Sequence, residues 1–113
     1  MKFNPFASVP EVNMTPVVTR KLLAYQPGEN GYTLNLMSAE AGASAPAHSH
    51  PHLQVVYVIS GKGDFFCDGE VKTVGAGDVI QIDANLPHTF NSFADDTVWL
   101  EFFTPEREDY KPL

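Results

Sequence analysis

Three of the four histidines of this chain fall within five positions, in the stretch HSHPHLQ from His48 to Gln54. The fourth, His88, lies in DANLPHTF farther downstream. Neutral imidazole is the commonest protein ligand for a transition metal, so the cluster points to metal binding. In an extended segment alternate side chains share one face, which puts the even-numbered His48, His50 and Gln54 on the same side. Two imidazoles at i and i+2 can approach one ion, and a third from a neighbouring strand, for which His88 remains, completes a facial set. Gln54 either ligates through its amide oxygen or only hydrogen-bonds beside the site. His52 shares the parity, but Pro51 and an already complete set make it a neighbour of the ligands or an exposed residue.

A second constellation lies near the end, in TVWLEFFTPERED. Trp99, Glu101 and Phe103 share one face of a strand; Val98, Leu100 and Phe102 share the other. A carboxylate between two aromatic residues on the face of a core strand is costly unless it is paired or functional. Burial there raises the pKa of Glu101 and suits a group that moves protons. The plainer alternatives are a carboxylate turned to solvent or paired with Arg107 or Lys111. Arg107 follows Pro105, where it either reaches back as a bidentate clamp for a carboxylate or stays solvated in a charged tail.

These residues must be positioned by a small scaffold. A chain of 113 residues, 43% of them apolar, fits one domain with one core. Turn signals recur at short intervals: PGENG, GKG, DG, GAGD, DANLP and ADD. Between them lie VVTRKLLAY, YTLNLMSAE, QVVYVIS, DFFC, EVKTV, VIQI, HTFNSF and TVWLEFF, each rich in β-branched or aromatic residues. That rhythm predicts an all-β sandwich or barrel of short strands. Within DFFCDGEVKTV, Asp68-Gly69 supplies a type I′ turn, and Phe65, Phe66 and Cys67 are expected to pair with Val71, Thr73 and Val74. Residues 1–113 are read as a single domain, with 1–16 and 104–113 as peripheral arms laid on it or on a partner subunit.

A net charge of −7 with only seven scattered Lys and Arg argues against a nucleic-acid or anionic-membrane surface. No leader-like apolar run or membrane-spanning stretch is found, and the expected location is the cytoplasm. The single cysteine, Cys67, allows no internal disulfide and is read as a small half-buried side chain.

The spacing Gly42-x5-His48-x-His50-x3-Gln54-x6-Gly61 resembles the first motif of the cupins, where the position of Gln54 is commonly Glu. Gly77-x5-Asp83-x-Asn85-x2-His88, followed by Asn91, resembles the second, with Asp83 and Asn85 where Pro and Gly are usual. The resemblance implies the cupin double-stranded β-helix, a jelly-roll barrel with a divalent metal ion (Ni, Fe, Mn or Zn) in its mouth. With Gln rather than Glu, three neutral imidazoles and an amide leave the ion's full charge uncompensated, which favours Lewis-acid work on anionic oxygen ligands.

VTRKLLAY, HSHPHxQ and the terminal acid-x-Phe-x-Pro-x-Arg-x-Asp are together similar to the small pectin-degradation cupins, which open the ring of unsaturated monouronates. By that resemblance His48, His50, Gln54 and His88 hold the metal, and Glu101, Phe103 and Arg107 complete the site. Glu101 stands where that family has Asp. The implied substrate is a small anionic sugar. A homodimer is expected by the same analogy, from the two-faced apolar final strand and the Pro-rich arms. The rival readings are an Fe(II)-dependent dioxygenase on the same barrel and a non-catalytic sugar- or metabolite-binding cupin.

Overall fold

The alternation of inward and outward residues recurs in a computed structural model, which describes residues 1–112. Nine strands run β1 Glu11–Thr15, β2 Val18–Gln26, β3 Tyr32–Ala39, β4 Leu53–Ser60, β5 Lys62–Cys67, β6 Glu70–Gly75, β7 Val79–Ile82, β8 His88–Phe93 and β9 Thr97–Thr104. Short 3-10 turns lie at Phe6–Ser8 and Glu108–Tyr110. All strand pairs are antiparallel, in a six-stranded sheet of order β1-β2-β3-β9-β4-β7 and a three-stranded sheet of order β6-β5-β8. This is the all-β barrel of short strands that the turn rhythm predicts, in the jelly-roll form that the resemblance to the cupins implies.

The two sheets close on each other through alternate residues. Met37, Val56, Val58 and Trp99 from the larger sheet meet Phe65, Val74, Phe90 and Phe93 from the smaller. The rings of Phe90 and Trp99 lie 4.8 Å apart, and those of Phe93 and Trp99 lie 5.3 Å apart and stack. Such a core stabilises the barrel by removing large apolar surfaces from water. It fills one end and leaves the other, around His50 and Phe103, to polar side chains.

Two turn features show how sequence sets this geometry. Asp68 and Gly69 both have positive φ, 48° and 87°, as a two-residue hairpin turn requires. The register differs from the expected one: Cys67 pairs with Glu70, Phe66 with Val71, Phe65 with Lys72 and Asp64 with Thr73. A two-residue turn pairs its flanking residues directly, which moves every partner toward the turn by comparison with a match of apolar residues. Gly61 has φ 92°, and a Cβ there would collide with the Asp96 carbonyl and Thr97. This glycine of the first motif therefore lets the start of β9 cross close against β4's end.

The ends are more structured than arms. Residues Glu11–Thr15 form β1 on the edge of the large sheet, because they ladder with Thr19 to Lys21 and with Val18. At the other end the backbone N–H of Arg107 donates to Thr33 Oγ1 at 2.8 Å, tying the final segment across the barrel mouth. No helix is long and apolar enough to cross a membrane among the described residues.

Candidate metal centre and its cavity

The histidine cluster is assembled by a bridge rather than by a continuous strand. His48 precedes β4 in a loop, where its backbone exchanges two hydrogen bonds with His88 at 3.1 and 2.9 Å. Directly opposed residues of an antiparallel bridge project to one face, so the rings of His48 and His88 meet at 4.6 Å between centroids. His50 is fixed by its carbonyl accepting from Asn85 N–H at 2.8 Å. Gln54, the second residue of β4, points inward.

The donor atoms converge on one point. Ligand nitrogens of His48, His50 and His88 all lie within 4.8 Å of one another. His50 Nε2 is 3.2 Å from His88 Nε2 and 2.9 Å from Gln54 Oε1. Ligands bound at about 2.1 Å and at right angles around one ion stand about 3 Å apart, so these separations suit adjacent positions of one coordination sphere. The His88 imidazole is also oriented from behind. His88 Nδ1 donates to the Leu86 carbonyl at 2.8 Å, which leaves Nε2 as the bare lone pair facing the cluster. His50 Nδ1, by contrast, is buried without a hydrogen-bond partner.

Protonation favours ligation as well. His50, Gln54 and His88 are only 8%, 5% and 2% exposed. Burial pushes the pKa of His48, His50 and His88 down, with His50 lowered to about 4, and the positive charge of Arg107 adds to the effect on each. The imidazoles are therefore neutral at pH 7, as metal binding requires. These residues fit a divalent ion.

A cavity of about 250 Å³ opens beside the cluster, and its lining includes His48, Gln54, Trp99, Glu101, Phe103, Arg107 and Tyr110. The volume is just below the usual range of about 300–1,000 Å³ for drug-sized ligands, so it suits one small metabolite. Phe103 belongs to the cavity lining and also touches the cluster; its ring meets His50 edge-on at 5.5 Å. His52 is half-buried, with its ring 6.4 Å from Phe103, a neighbour of the ligands and outside their set.

Glu101 points inward from β9, as its parity with Trp99 and Phe103 predicts. Its Oε1 accepts from Trp99 Nε1 at 2.8 Å. Burial raises its pKa, while the Trp99 hydrogen bond and the charges of Arg107 and Arg20 pull it back. The carboxylate makes no ion pair with Arg107 or Lys111 among the described residues. Arg107 instead meets Asp109, through Nε at 3.1 Å and Nη2 at 2.6 Å. Asp109 thereby takes the side edge of the guanidinium, and the edge between Nη1 and Nη2 remains for a second carboxylate.

Three polar residues near this wall were not singled out from sequence. Arg20 and Asn35 have buried atoms without hydrogen-bond partners, and Asn35 is fully buried. Asn35 sits directly across the ladder from Glu101. The alternation in YTLNLMSA, which puts Asn35 in phase with Met37, was the signal that could have found it. Tyr110 had no such signal, since it lies in a charged tail outside any strand.

The sequence profile of the cupin domain matches residues 35–103. The chain belongs to the cupin domain family. The matched span carries all four candidate metal ligands together with Glu101 and Phe103. An L-ectoine synthase from Hahella chejuensis is 31% identical over 77 residues, 66% of this chain and 58% of that protein's length. Two solved structures superpose over nearly the whole cupin. One is an RmlC-like cupin from Shewanella frigidimarina, with TM-score 0.89 and 22% identity over 98% of this chain and 96% of the other. The second is KdgF from Halomonas sp., with TM-score 0.88 and 22% identity over 98% and 99%. At such identities the likeness concerns the fold.

Proposed function

We propose that this cupin is a metal-dependent enzyme that opens the ring of an unsaturated monouronate by tautomerisation. The observation that carries the reading is one wall holding three groups of different chemistry beside a three-histidine cluster. Glu101 is a desolvated carboxylate, Phe103 is an apolar face, and Arg107 is a guanidinium with one free edge. The sequence likeness to the small pectin-degradation cupins and the fold likeness to KdgF support the same choice.

His48, His50, Gln54 and His88 would hold the ion, which when bound supplies Lewis-acid polarisation of substrate oxygens. Arg107 would hold the uronate carboxylate through its free Nη1–Nη2 edge, with Asp109 keeping the guanidinium still. Phe103 would pack against the sugar ring. Glu101 would take the proton of the anomeric hydroxyl as the bond from the anomeric carbon to the ring oxygen breaks, and give a proton to that oxygen, leaving an aldehyde and an enol; it would then take the enol hydroxyl proton and return one to the carbon of the double bond, so that the enol becomes a ketone with no redox change. Trp99 Nε1–H fixes one oxygen of that carboxylate and leaves the other to move the proton. Gln54 contributes no charge, which preserves the pull of the centre on an anionic substrate. The Trp99 hydrogen bond would hold the longer Glu side chain where the resembling family has Asp.

We also propose a homodimer. The outer face of the large sheet exposes Leu53, Val55, Tyr57, Ile59, Val79 and Phe102. This apolar patch on β4, β7 and β9 of a chain of net charge −7 suits a second copy of itself, since pairing through uncharged side chains keeps like charges apart. The test of the activity follows the conjugated double-bond absorbance of unsaturated galacturonate and mannuronate monomers, with wild type beside His48→Ala and Arg107→Ala. Decay with wild type and loss in both variants is expected; decay no faster than buffer for either sugar, across several divalent metals, overturns the proposal.

A further inference from the structure

The motif Val18-Thr19-Arg20-Lys21 carries part of the family likeness yet supplies no ligand to the metal set, and to the wall described so far only the charge of Arg20 acting on Glu101. Arg20 lies on the inward phase of β2, where it pairs across the ladder with Met37 of β3. Its guanidinium carbon is 4.5 Å from the centroid of the Tyr110 ring. The guanidinium carbon of Arg107 is also 4.5 Å from that centroid, and 5.0 Å from the Phe103 ring. Phe103 in turn meets the His50 ring. A continuous stack therefore runs from the metal cluster through Phe103, Arg107 and Tyr110 to Arg20.

Two cations on one ring repel each other, and Arg20 Nε is buried without a hydrogen-bond partner. Neither feature serves stability well. The chain's one ion pair among the described residues, Arg107–Asp109, does not relieve Arg20. What the arrangement does is hold a ring. Tyr110 ends a 3-10 turn of only three residues with no buried member, so its backbone alone gives little rigidity. A guanidinium packed on an aromatic face provides it.

Tyr110 also lines the cavity, beside Arg107 and Glu101. Burial raises its pKa, so the phenol is neutral and keeps a proton to donate. We infer that Tyr110 is a ligand-contacting residue that closes the cavity on the carboxylate-binding side, and that Arg20 is a positioning residue fixing the Tyr110 ring and, through it, Arg107. The inference rests on reading the cavity as the seat of a sugar acid. It adds a recognition layer outside the span matched by the cupin profile, since Arg20 and Tyr110 both fall beyond residues 35–103.

The experiment measures binding of saturated galacturonate, which cannot react, and of neutral galactose, by calorimetry on metal-loaded full-length protein. The variants are Tyr110→Phe, Tyr110→Leu, Arg20→Met and Arg20→Lys, with metal content and Tm measured on each. Tyr110→Leu and Arg20→Met are expected to weaken galacturonate binding about tenfold, with little change for galactose and no loss of metal. Tyr110→Phe, which keeps the ring and loses the hydroxyl, should lose about two- to fivefold. Arg20→Lys keeps a cation over the ring and should restore most of the affinity lost in Arg20→Met. Tyr110→Phe and Arg20→Lys retain the packing, so they report even if the larger changes unfold the chain. Unchanged affinity and unchanged preference for the acid in Tyr110→Leu and Arg20→Met overturns the inference while leaving the proposed function standing. No preference for galacturonate over galactose in the wild type overturns the parent reading, and the inference with it.

Discussion

Replacing Glu101 with Gln separates chemistry from packing at this site. Gln is nearly isosteric, and its amide oxygen can keep the 2.8 Å hydrogen bond from Trp99 Nε1. What it removes is the ability to take and return a proton. A positioned acid or base contributes about 10²- to 10⁴-fold to rate, equivalent to about 3 to 5 kcal/mol of barrier. Turnover by Glu101→Gln should fall by that factor, with KM changed far less, because Arg107 and Phe103 still bind the substrate. Stability should move the other way. Burial raises the Glu101 pKa, so between the usual carboxylate range and its folded value the native state binds more protons than the unfolded one. The stability contributed by protonated Glu101 is complete below that window and is lost as pH rises through the folded pKa. A neutral Gln carries no such loss, so the variant's Tm at pH 7 should equal or exceed that of wild type. The assay pairs steady-state kinetics with thermal melts across pH. A variant within about threefold of wild-type turnover refutes the proton-moving role. A lowered Tm at neutral pH would show that the carboxylate serves packing instead.

Other predictions address the ligands and the assembly. Gln54→Glu should tighten metal binding and weaken galacturonate binding by about tenfold or more, because it cancels one positive charge at the centre; equal uronate affinity would remove the charge argument. Metal release should begin only below about pH 6.5 and be complete near the lowered pKa of His50, about 4. In the metal-free protein the histidines, whose pKa values fall on folding, lend stability that is present above the unfolded value and lost as pH falls toward the folded one. Melts and metal analysis on one pH series check both, and full metal release already at pH 7 would contradict them. Tyr57→Glu, which puts a charge on the outer apolar face, should convert a dimer to a monomer in light scattering, whereas a wild-type monomer at micromolar concentration would end the dimer proposal.

Much of the scaffold was legible because every strand of a two-layer β-barrel alternates. Eight of the apolar segments became β2 to β9 with small changes of boundary, while β1 was missed because EVNMT is an edge strand with little apolar content. The hairpin register slipped because turn geometry, not the matching of apolar residues, fixes which partners face each other. The cluster of His48, His50 and His88, with Gln54 beside it, was readable from spacing, yet the device that brings His48 to His88 is an isolated bridge between a loop and β8, which no parity rule supplies. Glu101 and Phe103 followed from strand parity. Arg107 and Tyr110 reach the cavity only because the chain turns back after β9, and that return depends on contacts with Thr33 and Arg20 that are remote in sequence.

The central claim is that a neutral-ligand metal centre and the wall formed by Glu101, Phe103 and Arg107 open an unsaturated uronate without oxygen. The direct measurement is the decay of double-bond absorbance under strict anaerobiosis, using protein stripped of metal and reloaded with a single divalent ion. Decay at the aerobic rate, abolished by chelation and by Arg107→Ala, is the predicted result. Turnover that requires oxygen, with stoichiometric oxygen uptake, would contradict it and assign the centre to dioxygenase chemistry.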